Sequence, residues 1–141
     1  MVRVMASGVF DLIHPGHISY LNQAKAYGDH LTVVIANDDT VRRNKHEPVT
    51  PESMRALIVG SLKPVDEAIV GGHGDIFETV SKVRPDIIVL GYDQRFDERE
   101  LQKSLSDHGF KDIKVVRATE VADDLNATRR IVAKIREMGS Q

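Results

Sequence analysis

Residues 2–28 read VRVMASGVFDLIHPGHISYLNQAKAYG, and the change of period inside this stretch decides the fold. Val2–Ala6 is a short apolar run of strand length, whereas Pro15–Tyr27 carries Ile18, Leu21, Asn22 and Lys25 at the 3.6-residue spacing of a helix. Pro15 is tolerated in an opening turn, where its missing N–H costs nothing, and Gly28 is placed to end the helix. Working outward, the same alternation repeats. Strands are expected at Leu31–Ala36, Glu67–Val70, Asp86–Leu90 and Ile113–Arg117, several of them continuously apolar and so buried on both faces. Helices are expected at Pro51–Leu62, Ile76–Val83, Asp97–Asp107 and Asn126–Met138. The segment Asn37–Pro48, with Arg42, Arg43 and Lys45, reads as a long loop, and length of that kind favours a functional role. Regular β-α alternation calls for an α/β fold, a mostly parallel, doubly wound sheet with right-handed crossovers.

The 141 residues suffice for one domain, 1–141, with no second module. Hydrophobic residues make up 41% and charged residues 28%, which excludes disordered, collagen-like and coiled-coil chains. There is no cysteine, so disulfides, thiolate metal sites and a cysteine nucleophile are excluded, in keeping with a reducing compartment. A net charge of −2 argues against non-specific nucleic-acid binding. No apolar stretch approaches the length of a membrane span, and the N-terminus lacks a secretory signal, so a cytoplasmic protein is expected.

Open parallel sheets bind ligands beyond the carboxyl ends of their strands. There, after the first strand, Ser7-Gly8-Val9-Phe10-Asp11-Leu12-Ile13-His14-Pro15-Gly16-His17 sets two histidines around Pro-Gly at a helix opening. Helix N-termini offer uncommitted amides and a positive dipole end to phosphate, and Gly16 allows close approach to the backbone. Histidines add donors to anionic oxygens, the stabilisation that phosphoryl and nucleotidyl transfer chiefly require. Two bland readings compete. A core role for the pair is weakened by Gly8, Pro15 and Gly16 around it. A closed zinc site would need more ligands, and His30, His46, His73 and His108 show no ligand-like spacing. The stretch is neither a Walker A loop nor a Gly-x-Gly-x-x-Gly fingerprint.

Residues 7–28 resemble the signature of the cytidylyltransferase-like branch of the nucleotidyltransferases, with its His-x-Gly-His element. The resemblance extends along the chain through Asp38-Asp39, Arg55 and Pro64-Val65-Asp66. It implies a Rossmann-like (HUP-type) nucleotidyltransferase domain that transfers a nucleoside monophosphate from a nucleoside triphosphate to a phosphate-bearing acceptor, with magnesium. Within that branch, Gly91-Tyr92-Asp93-Gln94 is similar to a segment of the archaeal-type FAD synthases, which adenylylate FMN. Arg42-Arg43-Asn44-Lys45-His46 and Asn126-Ala127-Thr128-Arg129-Arg130 depart from the corresponding segments of glycerol-3-phosphate cytidylyltransferases. The expected reaction is therefore FMN plus ATP giving FAD and pyrophosphate. Transfer from CTP or ATP onto a sugar or polyol phosphate, of the glycerol or heptose type, is the alternative, and a silent nucleotide-binding module is a third.

The resemblance also distributes roles. His14 and His17 meet the triphosphate as catalytic groups, and Lys45, Arg42 or Arg43 closes over the α-phosphate. Val9, Phe10, Pro15 and Gly16 line the nucleotide, with Phe10 alternatively plain core. Asp11 either orients a histidine or a magnesium-bound water, or caps its own loop. Asp93 meets the sugar or base. Thr128, in the opening turn of the last helix, faces the phosphates together with Arg129 or Arg130, whose alternative is an exposed basic face. No protein metal ligand is expected, and relatives suggest a homodimer. The Gly71-Gly72-His73-Gly74 turn is a flexible connection.

Overall fold

A computed structural model of the chain describes residues 1–44, 46–92, 94, 97–119 and 128–139, with residues 128 and 129 described by their backbone only. In chain order the elements are β1 (Arg3–Gly8), α1 (Pro15–Ala26), β2 (His30–Ile35), α2 (Asp38–Asn44), α3 (Glu52–Gly60), β3 (Glu67–Val70), α4 (Ile76–Val83), β4 (Ile87–Leu90), α5 (Glu98–Asp107), β5 (Lys114–Arg117) and α6 (Thr128–Gly139). The strands form one sheet, ordered β3-β2-β1-β4-β5, with every pairing parallel. The doubly wound α/β architecture expected from the alternation is the one found.

Strand side chains alternate between two apolar layers, as the period of two requires. Val4, Ala6, Leu31, Val33 and Ile35 pack with Leu21 and Ala24 of α1 and Val59 of α3 on one face. Met5, Val34, Ile88 and Leu90 pack with Val80 and Val83 of α4 and Leu101 and Leu105 of α5 on the other. Gly28 ends the first crossover where a Cβ would lie 2.7 Å from the Val2 carbonyl oxygen and 2.8 Å from a Val4 methyl. Only glycine lets the chain turn that tightly against β1.

One expectation is corrected. Asn37–Pro48 is not a continuous loop, because residues 38–44 form α2. Asn37, buried just before it, caps the helix by accepting from the Thr40 amide at 2.8 Å. Asp38 and Asp39 occupy the first turn and Arg42 and Arg43 the last, the order that suits the helix dipole. The local charge order was visible in the sequence, but the apolar period was not, since Val41 is this helix's sole buried residue.

Candidate active site

The crevice opens where β1 and β4 part. β1 stays paired with β2 as far as Gly8↔Ile35, but its pairing with β4 stops at Ala6↔Val89. This is the point where the strand order reverses, the usual ligand crevice of such sheets. The backbone groups freed by the parting are taken up by side chains. Tyr20, from α1, sets its hydroxyl 2.8 Å from the Val89 carbonyl and 3.0 Å from that of Ser7, and accepts from the Ser7 amide at 3.2 Å. Gln94 donates to the Ser7 carbonyl at 2.7 Å and accepts from the Gly91 amide at 3.0 Å. Arg117, at the end of β5, donates to the carbonyls of Gly91 and Gln94 and pairs with Glu98.

The loop from β1 to α1 is sharply folded. Phe10 and Leu12 both adopt left-handed φ of 56°, a conformation costly for non-glycine residues and concentrated at functional loops. Phe10 folds back over Gly8, where a Cβ would sit 2.9 Å from its ring, and it is buried at 3% exposure. Phe10 is therefore part of the core, and its ring stands 5.2 Å from that of His17.

His14 is the N-cap of α1. Its Nδ1 accepts from the Gly16 amide at 3.1 Å, and its carbonyl accepts from the amides of His17 and Ile18 at 3.0 and 3.3 Å. An N–H can only donate, so Nδ1 carries the lone pair and the neutral ring bears its proton on Nε2. This corrects the expectation of uncommitted amides at the helix mouth: Gly16, His17 and Ile18 are satisfied inside the turn, and Pro15 has none to offer. What the mouth presents to an anion is the imidazole pair and the dipole. The two rings stack with centroids 3.8 Å apart and planes at 28°. Beyond His14 an open depression of about 670 Å³ runs along α1 past Ile13, Ile18 and Asn22.

Asp11 anchors a second loop. It is 2% exposed, and its carboxylate accepts from the amides of Val49 and Thr50 at 2.7 and 3.0 Å and from the Thr50 hydroxyl at 2.6 Å. It thus ties the segment before α3 to the β1 loop. Arg55 completes the bracing. Its guanidinium is 1% exposed and donates to the carbonyls of Val9 (2.8 Å), Ala36 (2.7 Å) and Thr50 (3.0 Å) and to the Asp38 carboxylate (2.6 Å). Burial works to raise the Asp38 pKa, but the Arg55 hydrogen bond and charge and the Glu52 amide outweigh it and hold this carboxyl below its ordinary range. Asn37 donates to the carbonyls of Gly71 and Gly72 at 3.2 and 3.1 Å, so the glycine turn after β3 is pinned at its start.

Val9, Phe10, Asp11, His14, Pro15, Gly16 and His17 are brought together at the crevice. Lys45 and Asp93 lie outside the described residues, as does the side chain of Thr128. Arg42 is engaged with Glu47 and Asp39, and Arg43 is exposed. Tyr20, Gln94, Asn37 and Arg117 had no assigned role in the sequence reading. Gln94 stood within a quoted motif, but the others carry no local signal, because their partners are distant in sequence. Among the described residues no three His, Asp or Glu side chains gather as a cation cage, and none of the helices is long and apolar enough to cross a membrane.

Strand order, splayed crevice and imidazole pair define a nucleotide-handling α/β domain, and the family profile described as Cytidylyltransferase-like matches residues 5–134, so the chain belongs to that family. It is 54% identical over 136 residues to a protein named FAD synthase from Aciduliprofundum boonei, covering 96% of this chain and 91% of the relative. A second FAD synthase, from Methanothermus fervidus, is 51% identical over 138 residues, covering 95% and 94%. Among solved structures, one described as the lipopolysaccharide core biosynthesis protein from Thermoplasma volcanium GSS1 superposes with a TM-score of 0.83 at 50% identity, covering 86% of this chain and 98% of that one.

Proposed function

We infer that this chain is an FMN adenylyltransferase, an FAD synthase. A phosphate oxygen of FMN attacks the α-phosphorus of ATP, the bond from that phosphorus to the bridging oxygen breaks, and pyrophosphate leaves. The observation that carries the reading is the His14–His17 stack at the mouth of α1, in the crevice where β1 and β4 part, in a chain 54% identical to a named FAD synthase. His14, fixed by its cap with a proton on Nε2, donates to the triphosphate. His17 beside it shares the developing charge, with the α1 dipole behind both. Lys45 closes over the α-phosphate, Asp93 meets the nucleoside and Thr128 the phosphates, roles that rest on the family resemblance. Asp11 and Arg55 hold the loops that present the backbone of Val9 and Phe10 to the nucleotide.

The described side chains do not fit a resident metal site, so no step is routed through a protein-bound ion. Magnesium comes as the ATP chelate, held by phosphate oxygens and water, as is usual for this ion. The absence of cysteine supports a cytoplasmic location, and two chains associate as a homodimer.

Incubation with ATP, Mg²⁺ and FMN, followed by chromatography, should yield FAD and pyrophosphate in equal amounts. A second reading, adenylyl or cytidylyl transfer to a sugar or polyol phosphate, is favoured by the name of the Thermoplasma volcanium structure. Turnover of glycerol 3-phosphate or a heptose phosphate, with none of FMN, would replace the first reading by the second.

A further inference from the structure

The edge strand β5 is an apolar pair, Val115 and Val116, between two charges, Lys114 and Arg117. A cation that closes so short an edge strand is ordinarily left to solvent, as a guard against pairing with other strands. Arg117 is used otherwise. It stands in register with Leu90, the last residue of β4, and the period of two sends its side chain to the face of Val115, which packs in the layer of α4 and α5. There Nε and Nη2 pair with Glu98, the first residue of α5, and Nη1 donates to the carbonyls of Gly91 and Gln94 at 2.9 and 2.8 Å. Those two carbonyls are the ends of one turn. The Gln94 amide donates to the Gly91 carbonyl at 3.2 Å, and the Gln94 side chain accepts from the Gly91 amide at 3.0 Å. The same side-chain amide donates to the Ser7 carbonyl at 2.7 Å. An acceptor on one side and a donor on the other is what a peptide unit offers, so Gln94 carries the ladder across the gap where β1 and β4 part. Ser7 is held in turn by the hydroxyl of Tyr20, three residues beyond His17 on α1. A chain of contacts thus runs from α5 through Arg117, the turn and Ser7 to the helix that bears the imidazole pair.

We propose that Arg117 is a positioning residue for the nucleoside half of the nucleotide: by clasping both ends of the Gly91–Gln94 turn, it sets the exit of β4 at a fixed distance from the histidines of α1. It rests on the reading proposed above, in which the exit of β4 meets the nucleoside and His14 and His17 meet the triphosphate. A nucleoside triphosphate must engage both places at once, so its affinity depends on their separation. An anion held at the histidines alone does not depend on it. Arg117 acts through the turn, since its nitrogens are given to Glu98 and to the two carbonyls. Its contribution is geometry rather than charge, because Glu98 balances the guanidinium. Two carbonyls brought to one point repel each other, and the planar fork meets both while holding α5.

Titration calorimetry with no acceptor present gives the direct test. Arg117→Met should raise the Kd for MgATP about tenfold and leave the Kd for pyrophosphate within about twofold of the wild type. In FAD formation the KM for ATP should rise by the same factor, with kcat within about threefold. Arg117→Lys, which keeps a donor for the carbonyls, should regain part of the loss. Circular dichroism reports whether the variants fold. Should Arg117→Met not fold, Gln94→Met, which breaks the link from the turn to Ser7, takes its place with the same split expected between ATP and pyrophosphate. Equal losses of ATP and pyrophosphate affinity would make Arg117 a support of the whole crevice, and unchanged ATP affinity would make it a surface ion pair. Either result, or a fall in kcat at constant KM for ATP, overturns the proposal. The split in Kd needs no acceptor, so a protein that shows it but makes no FAD from FMN would overturn the acceptor reading and leave the role of Arg117 standing.

Discussion

Two arginines thirteen positions apart show how differently one side chain is used in two regions of this molecule. Arg55 is buried beneath the crevice and joins the carbonyls of Val9, Ala36 and Thr50 to Asp38, so residues distant in sequence share one cation. Arg42 lies on the surface of α2 and grips Glu47 and Asp39, both close to it in sequence. Glu47 raises its pKa, but Arg42 remains charged throughout the working range in any case. The lesson concerns alternatives. Water replaces the partners of Arg42 at once, whereas Arg55 is 1% exposed, so its removal leaves a carboxylate and three carbonyls without their donor.

Breaking the buried region should give the largest effect. Arg55→Met is expected to lower unfolding stability by about 3–5 kcal/mol in urea titration. Arg55→Lys should recover little of it, because one ammonium cannot reproduce the fork. Full stability in the methionine variant would show that the brace is not needed. Next comes the chemistry the brace supports. His17→Ala should lower kcat for FAD formation by about 10²–10³-fold, the usual cost of one donor to developing charge, with the fold intact. An unchanged kcat would remove His17 from the reaction.

Asp11→Asn turns an acceptor toward the amides of Val49 and Thr50 into a partial donor and should cost about 1–3 kcal/mol, read from the urea midpoint. Acidification sharpens the contrast further. The Asp38 carboxyl is held below its unfolded value, so its contribution is complete above roughly pH 4 and is lost as pH falls through the folded value. Stability measured from pH 7 down to acid should therefore fall more steeply in the wild type than in Asp38→Asn, and parallel curves would refute the pairing. The smallest effect belongs to the surface: Arg42→Ala should leave the thermal midpoint unchanged within error.

Much of this was legible beforehand. The strand and helix periods gave all five strands to within two residues at their ends, and α4 at its full extent, because continuous apolar runs and a 3.6 spacing leave few other folds. α2 was not legible. Its single buried side chain leaves no period to read, and its cap depends on Asn37 reaching both forward to Thr40 and across to the turn after β3. The histidine pair was legible because Pro and Gly between them mark a helix opening. Its chemistry was only partly so: the expected free amides are spent on His14 itself, which a sequence does not reveal because the Nδ1 contact depends on the rotamer at the cap.

By itself the sequence determined the alternation of elements, the parallel sheet and the place of the histidines, since these follow from spacing along one chain. Tertiary structure alone decided that Asp11 braces a loop, that Tyr20 and Gln94 fill the parting of β1 and β4, and that Arg55 joins four segments. Each of those roles needs partners that only folding brings within hydrogen-bond range, and no period along the chain encodes a distance between separate turns.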